Sequence, residues 1–456
     1  MRKIANYVDK NVFVLGFARS GAAAAQLLTT LGAHVTVSDN NDLTENPTAQ
    51  KLMAAGVQFT QDQSAQAIDG FDVLVKNPGI NYRNAVVVAA VAQGIPVITE
   101  IELGSQVFEG ELVAITGSNG KTTTTTLITK MLAQERTAGV AVYAGNIGIP
   151  VSEVAPTLSA TDTLVAENSS FQLMGTKTYH PHYAVLNNIF SSHLDYHETR
   201  ENYIAAKMQI TANQTEADYF IVNWDTAELQ NLAQQSHAQI IPFSRLGQST
   251  EGSYEQDGKL YWRDEFIMNA DEMGVPGDHN VENALAAIAV AKLHGRSTAM
   301  IAEILKTFSG VRHRTQFVLE AEGRKFYNDS KATDIEATEM ALNGFSAPVV
   351  LLAGGLDRGD TYERLEANLK AHVKAVVLSG ETKDKFATSV REAGVENIQF
   401  ADTVVDGVPL AWQVSEPGDI ILLSPAAASW DQYPDFETRG EMYIDAIEKL
   451  TGKKEV

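Results

Sequence analysis

Residues 115 to 122 read Ile-Thr-Gly-Ser-Asn-Gly-Lys-Thr. The chemistry in Gly117, Ser118, Asn119, Gly120, Lys121 and Thr122 is that of phosphate binding. Backbone N–H groups and a helix N-terminus would converge on an anion, Lys121 would reach the β and γ phosphates, and the Thr122 hydroxyl would ligate Mg²⁺. The usual G-x-x-x-x-G-K-[ST] spacing asks for glycine where Ile115 stands, so the match is incomplete. The flanks supply the required context: ELVAIT suits a buried strand, and Leu127, Met131 and Leu132 fall at helical spacing. An ordinary strand-to-helix turn would not need two glycines, a lysine and a threonine together.

Other reactive side chains follow apolar runs. In DTLVAENSSFQL Glu167 is expected just beyond a strand, and His193 and Asp195 lie beyond HYAVL, where a parallel sheet collects its ligands. A carboxylate suits Mg²⁺, which is held through few protein groups plus phosphates. Asn280 and Asn283 lie near the start of an alanine-rich helix, where an amide can cap the helix or hydrogen-bond a purine edge. Arg312, His313, Arg314, Lys331 and Arg358 gather cations in loops of a segment whose helices are otherwise acidic.

The elements that must position these groups alternate between strand-like and helix-like through most of the chain, so parallel sheets covered by helices are expected. At 456 residues, about three domains are expected. The pattern divides them at 1–108, 109–311 and 312–456. The first segment carries strand, glycine turn, alanine-rich helix and a strand ending at Asp39, a nucleotide-binding βαβ pattern. Ala18 occupies the second glycine position of a dinucleotide fingerprint, which disfavours NAD. No cysteine is present, which removes disulfides and thiol chemistry. A net charge of −22 argues against nucleic acid, and no run reaches the roughly 18 apolar residues that span a bilayer. A cytoplasmic protein without membrane insertion is expected.

In order along the chain, GSNGKT, AENSSFQL, NNIFSSHLDYH, YIAAK, GDHNVENALAA, HRTQ, DSKATD and LSPAAASWDQ resemble the motifs of the Mur ligases, and the resemblance spans essentially the whole sequence. The loop at 117–122 is then that family's own variant. The resemblance implies an α/β fold of three domains: Rossmann-like, central P-loop-type ATPase with a mostly parallel sheet, and Rossmann-like again. It implies ATP-dependent amide formation, with closest likeness to members that join D-glutamate to UDP-N-acetylmuramoyl-L-alanine through an acyl phosphate in peptidoglycan precursor synthesis. A monomer is expected.

Residue by residue, the resemblance places Lys121, His193 and Lys207 at the reaction centre. Thr122, Glu167, His193 and Lys207 match metal positions for two Mg²⁺, with Lys207 matching a lysine that is carbamylated. The loop residues, Asn280, Asn283, Arg314 and Asp329 match ATP positions. Ser20, Asp39, Asn40, Asn77 and Asn146 match positions for the UDP substrate, and His313, Lys331, Thr333, Arg358, Ser429 and Phe436 those for D-glutamate. Arg358 departs from the family pattern, which has lysine in this loop. Among rivals, folylpolyglutamate synthase resembles only the later two segments, and the alanine-adding Mur ligase shows a richer glycine cluster at its start. A binding protein without chemistry would be expected to lose some of Lys121, Glu167, His193 and Lys207.

Overall fold

The computed structural model describes every residue except Met1, Lys3, Ser191 and Ser192, and describes Asp195 in its backbone only. Apolar, β-branched runs form strands and the alanine- and leucine-rich stretches between them form helices. Among the described residues the strands make three sheets.

The first sheet contains β1 (Asn11–Leu15), β2 (His34–Ser38), β3 (Gln58–Thr60), β4 (Val73–Lys76) and β5 (Val97–Ile98). Their order is β3-β2-β1-β4-β5, and every pairing is parallel. The chain moves from β1 to β2 and β3, then returns to the other side of β1 as β4. That reversal leaves a crevice at the carboxyl ends of β1 and β4. Helix Arg19–Thr30 lies hard against the turn after β1, because a Cβ on Gly21 would stand 2.0 Å from the Gly16 carbonyl oxygen. Ala18 keeps extended backbone and needs no such freedom.

The second sheet contains β6 (Glu111–Thr116), β7 (Ala141–Gly145), β8 (Thr163–Glu167), β9 (Tyr183–Leu186), β10 (Tyr219–Asn223), β11 (Gln239–Ser244), β12 (Ser253–Gln256), β13 (Lys259–Trp262) and β14 (Glu265–Asn269). The order is β14-β13-β12-β11-β10-β9-β6-β8-β7. Pairing is parallel from β7 across to β12, and β12, β13 and β14 are antiparallel. Every residue of β8 and β9 is buried, as expected for strands covered on both faces. The central β6 lies between β8 and β9, so the chain's direction of travel reverses there too.

The first two sheets share a continuous apolar core running through helix Glu100–Val107. That helix also buries two glutamates. Glu102 accepts from the backbone N–H groups of Lys177, Thr178 and Tyr179 at 3.0, 2.9 and 3.1 Å. Glu100 accepts from Ser152 N at 3.0 Å, and burial pushes its carboxyl up to about 7.

The chain divides into two compact units, Met1–Ala270 with Glu282–Ile304, and Asp271–Val281 with Leu305–Val456. The second unit holds the third sheet: β15 (Gln316–Ala321), β16 (Arg324–Asn328), β17 (Val349–Ala353), β18 (Val373–Leu378), β19 (Asn397–Phe400) and β20 (Ile420–Leu423). Its order is β15-β16-β20-β17-β18-β19, parallel except where β15 meets β16. The last strand in sequence thus enters the middle of the sheet, and the loops after β16, β17 and β20 come together at one edge.

Candidate active site

In the first unit the site grows from the end of β6. The chain turns through residues 117–120 into helix Lys121–Ala133, which starts after Gly120 in the left-handed region at φ 78°. A Cβ on Gly120 would also lie 2.1 Å from Asn283 Oδ1, so glycine is required twice over. Asn283 comes from helix Asp278–Leu293 and accepts from Thr124 Oγ1 at 3.2 Å, while Asn187 Nδ2 donates to that hydroxyl at 2.8 Å. The segment after β9 braces the other side: Ser118 N donates to Asn188 O at 3.0 Å and Asn119 N to Asn188 Oδ1 at 2.9 Å. Lys121 curls over its own loop, donating to the carbonyls of Gly117 and Ser118 at 2.9 and 2.8 Å. Thr122 is buried at the helix start.

Two further groups converge here. Glu167 ends β8, and one carboxylate oxygen accepts from Asn146 Nδ2 at 2.7 Å. The other oxygen is buried with no hydrogen-bond partner among the described residues. Lys207, 1% exposed on helix Arg200–Met208, donates to Gly117 O at 2.7 Å and stands 4.6 Å above the Tyr203 ring. Burial, reinforced by the nearby Lys121 ammonium, holds Lys207 well below the ordinary lysine value against the pull of Glu167. A buried amine biased toward neutrality and a carboxylate oxygen with no donor among the described residues therefore flank the loop at 117–120.

His193 is exposed, with left-handed backbone at φ 55°, and its ring meets Phe171 edge-on at 5.0 Å between centroids. Phe171 also contacts Tyr196 at 4.5 Å and stacks on His197 at 5.2 Å. The Asp195 side chain lies outside the described residues.

The candidates in the first sheet collect at its crevice. Asp39 follows β2 and accepts from Phe17 N at 2.7 Å and Asn41 N at 3.0 Å. Those bonds outweigh its partial burial and hold the carboxyl below the usual range. Asn40 is exposed beside it, Ser20 opens helix Arg19–Thr30, and Asn77 follows β4 with its side chain accepting from Gly79 N at 3.3 Å.

In the second unit, Asp329 follows β16, fully buried, accepting from Thr315 N at 3.0 Å and Ser424 Oγ at 2.8 Å. Burial outweighs those bonds and the Arg314 charge, and pushes its carboxyl up to about 7. Arg314 keeps its Nε buried with no hydrogen-bond partner among the described residues. His313 is held by Asn328 Nδ2 at 3.0 Å and by Glu441 at 3.1 Å. Burial lowers its ring below the ordinary histidine value despite that glutamate. Lys331 Nζ stands 5.0 Å over the Phe436 ring, with Thr333 in the same turn and buried Ser429 after β20. Arg358 is exposed, its guanidinium 4.7 Å from the Trp430 ring. Asn280 belongs to this unit and donates to Pro276 O at 2.7 Å, whereas Asn283 belongs to the first.

Several contributors are absent from the sequence reading. Tyr203 bonds Ser118 Oγ at 2.9 Å and underlies Lys207; its place four residues before that lysine puts both on one helix face, the signal that was available. Asn187 and Asn188 sit in a quoted motif but act through its polar side chains on the loop. Arg439 is buried at 1% exposure and joins the two loops carrying Lys331 and Ser429, donating to Ser330 O at 2.8 Å and Ala427 O at 3.1 Å. Nothing local marks an arginine as buried.

The profile for "Mur ligase MurD-like, N-terminal domain" matches residues 10–99, "Mur ligase middle domain" 115–291, and "Mur ligase, glutamate ligase domain" 313–427. The chain is similar to the UDP-N-acetylmuramoylalanine–D-glutamate ligase of Lactiplantibacillus plantarum, 56% identical over 457 residues and covering 100% of both chains. It shares its fold with UDP-N-acetylmuramate-alanine ligase MurC of Thermotoga maritima at a TM-score of 0.59 and 18% identity, covering 97% of this chain and 99% of that one. MurF ligase from Thermotoga maritima in complex with ADP aligns at a TM-score of 0.58 and 16% identity, covering 98% and 96%. With three matching domains in order and a full-length relative at more than half identity, the chain belongs to the Mur ligase family.

Proposed function

We propose that this chain is an ATP-dependent amide ligase that joins D-glutamate to the terminal carboxylate of UDP-N-acetylmuramoyl-L-alanine in cytoplasmic peptidoglycan precursor synthesis. The observation that carries the reading is the meeting of Lys121, an unpartnered Glu167 oxygen and buried Lys207 around a phosphate loop, in a chain 56% identical to a relative of that name. A carboxylate is a poor electrophile. Transfer of the γ-phosphoryl group to a carboxylate oxygen releases ADP and forms an acyl phosphate. The D-glutamate amine then attacks the carbonyl carbon, loses its proton, and phosphate leaves as the amide forms.

Each group has a task in that scheme. Residues 117–120 cradle the phosphates, and Lys121 swings from its loop carbonyls to the β and γ phosphates to offset charge as the phosphoryl group moves. Asn280 and Asn283 contact adenine, with Asn283 also bracing Gly120, and Arg314 and Asp329 complete the ATP site. Mg²⁺ fits the donor set: Thr122 and Glu167 would hold one ion, and His193 with Lys207 a second, with waters and phosphates filling the rest. Bound there, the ions would offset charge on the phosphoryl oxygens. Addition of the neutral Lys207 amine to CO₂, with loss of a proton, would convert the amine into a carboxylate-like ligand. Domain 1–108 holds the UDP group through Ser20, Asp39, Asn40 and Asn77. Domain 109–311 carries ATP, with Asn146 near the sugar side, and domain 312–456 holds D-glutamate through His313, Lys331, Thr333, Arg358, Ser429 and Phe436. The enzyme acts as a monomer.

The test is phosphate release with ATP, Mg²⁺ and UDP-N-acetylmuramoyl-L-alanine, adding D-glutamate, L-glutamate, L-alanine or nothing. Release with D-glutamate alone, and a product heavier by one glutamyl residue, is expected. Silence with every amino acid, with bicarbonate present and ATP demonstrably bound, overturns the reading.

A further inference from the structure

Lys76 ends β4 at the crevice of the first sheet and is 1% exposed. Among the described residues its ammonium has no carboxylate partner. It donates instead to Ile80 O at 2.9 Å, Tyr196 OH at 3.1 Å, Pro78 O at 3.2 Å and Asn77 O at 3.4 Å. The Tyr82 and Tyr196 rings lie 4.8 and 5.8 Å away. Tyr196 OH in turn donates to Ile80 O at 2.8 Å, closing a ring of hydrogen bonds around the 77–80 turn.

The two ends of this arrangement belong to different parts of the site. Asn77 sits in the turn whose carbonyls the ammonium gathers. Tyr196 lies on the short helix Leu194–His197, its backbone N–H donating to His193 O at 3.1 Å, and its ring packs on Phe171, which also meets the His193 ring. Burial pushes the Lys76 amine down to about 7, and with no carboxylate beside it among the described residues its charged form is expensive, so an apolar side chain of similar length would fill the space at lower cost. What the ammonium adds is direction: it draws three carbonyls and a hydroxyl 120 residues away onto one point.

We propose that Lys76 is a positioning residue that locks the Asn77 turn to the His193 segment, so that the nucleotide-sugar turn and the phosphoryl-transfer centre are held in one register. The inference rests on the functional reading above. It is tested on the full-length protein with Lys76→Met, Tyr196→Phe and the double variant, by calorimetric titration with UDP-N-acetylmuramoyl-L-alanine and by steady-state kinetics for each substrate. Lys76→Met is expected to weaken nucleotide-sugar binding by about tenfold, equivalent to about 1.4 kcal/mol, and to raise that KM while the KM for D-glutamate stays put. Tyr196→Phe is expected to lose about threefold, and the double variant no more than Lys76→Met alone, because the two act through one contact. A Lys76→Met protein of lower melting temperature but wild-type affinity for the nucleotide sugar overturns the proposal, as do strictly additive losses. Should Lys76→Met fail to fold, unchanged affinity in Tyr196→Phe overturns it equally. Wild-type protein that binds no nucleotide sugar would overturn the functional reading, and the inference with it.

Discussion

Replacing Arg439 by methionine separates what holds the second unit together from what shapes its amino-acid site. The guanidinium is buried at 1% exposure and donates to Ser330 O, Ser330 Oγ and twice to Ala427 O, at 2.8 to 3.1 Å. Neither carbonyl has another donor among the described residues, so the variant strands two buried acceptors, at about 1–3 kcal/mol each. Ser330 Oγ keeps its own bond to Phe436 O at 2.7 Å. Against this loss stands the relief of burying a charge. Burial lowers the guanidinium from 12.5 to about 10, and at about 1.4 kcal/mol per pKa unit its removal returns roughly 3 kcal/mol. The two effects nearly cancel, so a stability change within about 3 kcal/mol is expected in urea unfolding. The loops at 329–334 and 425–429, which carry Lys331, Thr333 and Ser429, lose their common tie. A rise of about tenfold in the KM for D-glutamate follows, worth about 1.4 kcal/mol, with the KM for the nucleotide sugar unchanged. Arg439→Lys is expected to recover only part of this, because one ammonium cannot reproduce the planar fork. A D-glutamate KM equal to wild type in a folded Arg439→Met protein would refute the reasoning.

Three further outcomes are expected. Lys207→Ala removes the buried amine beside Gly117 and Lys121, and a loss of more than about a hundredfold in kcat is expected; full activity at low bicarbonate would end the assignment. Arg358→Ala, on an exposed side chain that a substrate carboxylate can recruit, should raise the KM for D-glutamate by about threefold to tenfold, and an unchanged KM would remove it from the site. Burial of Asp218 pushes its carboxyl up, but hydrogen bonds from His180, His182 and Thr215 more than offset that and hold it down at about 2. The folded value lies below the unfolded 3.8, so this contribution is present above about pH 4 and is lost as pH falls toward 2. Asp218→Asn should therefore be less stable than wild type at pH 7 by acid–urea titration, with the gap closing between about pH 4 and 2; a gap constant with pH would contradict the sign.

The local grammar of strand, turn and helix was legible in the residues themselves. The β6 run, the 117–122 loop and the helix after it follow from apolar patterning and glycine placement in one continuous stretch, Glu111 to Ala133, and Glu167 announces itself at the end of an apolar strand. Such signals are local because backbone conformation and strand burial depend on near neighbours. Tertiary structure decided which side chains those loops meet. Nothing in the order of residues brings Tyr196 to Lys76, sets Asn283 against Gly120 or makes Arg439 tie two loops. The entry of β20 between β16 and β17, and the core shared by the first two sheets, belong to the same class. Burial and the electrostatics that follow from it are set by what long-range packing places on top of a residue, and no property of that residue or its neighbours in sequence carries the information.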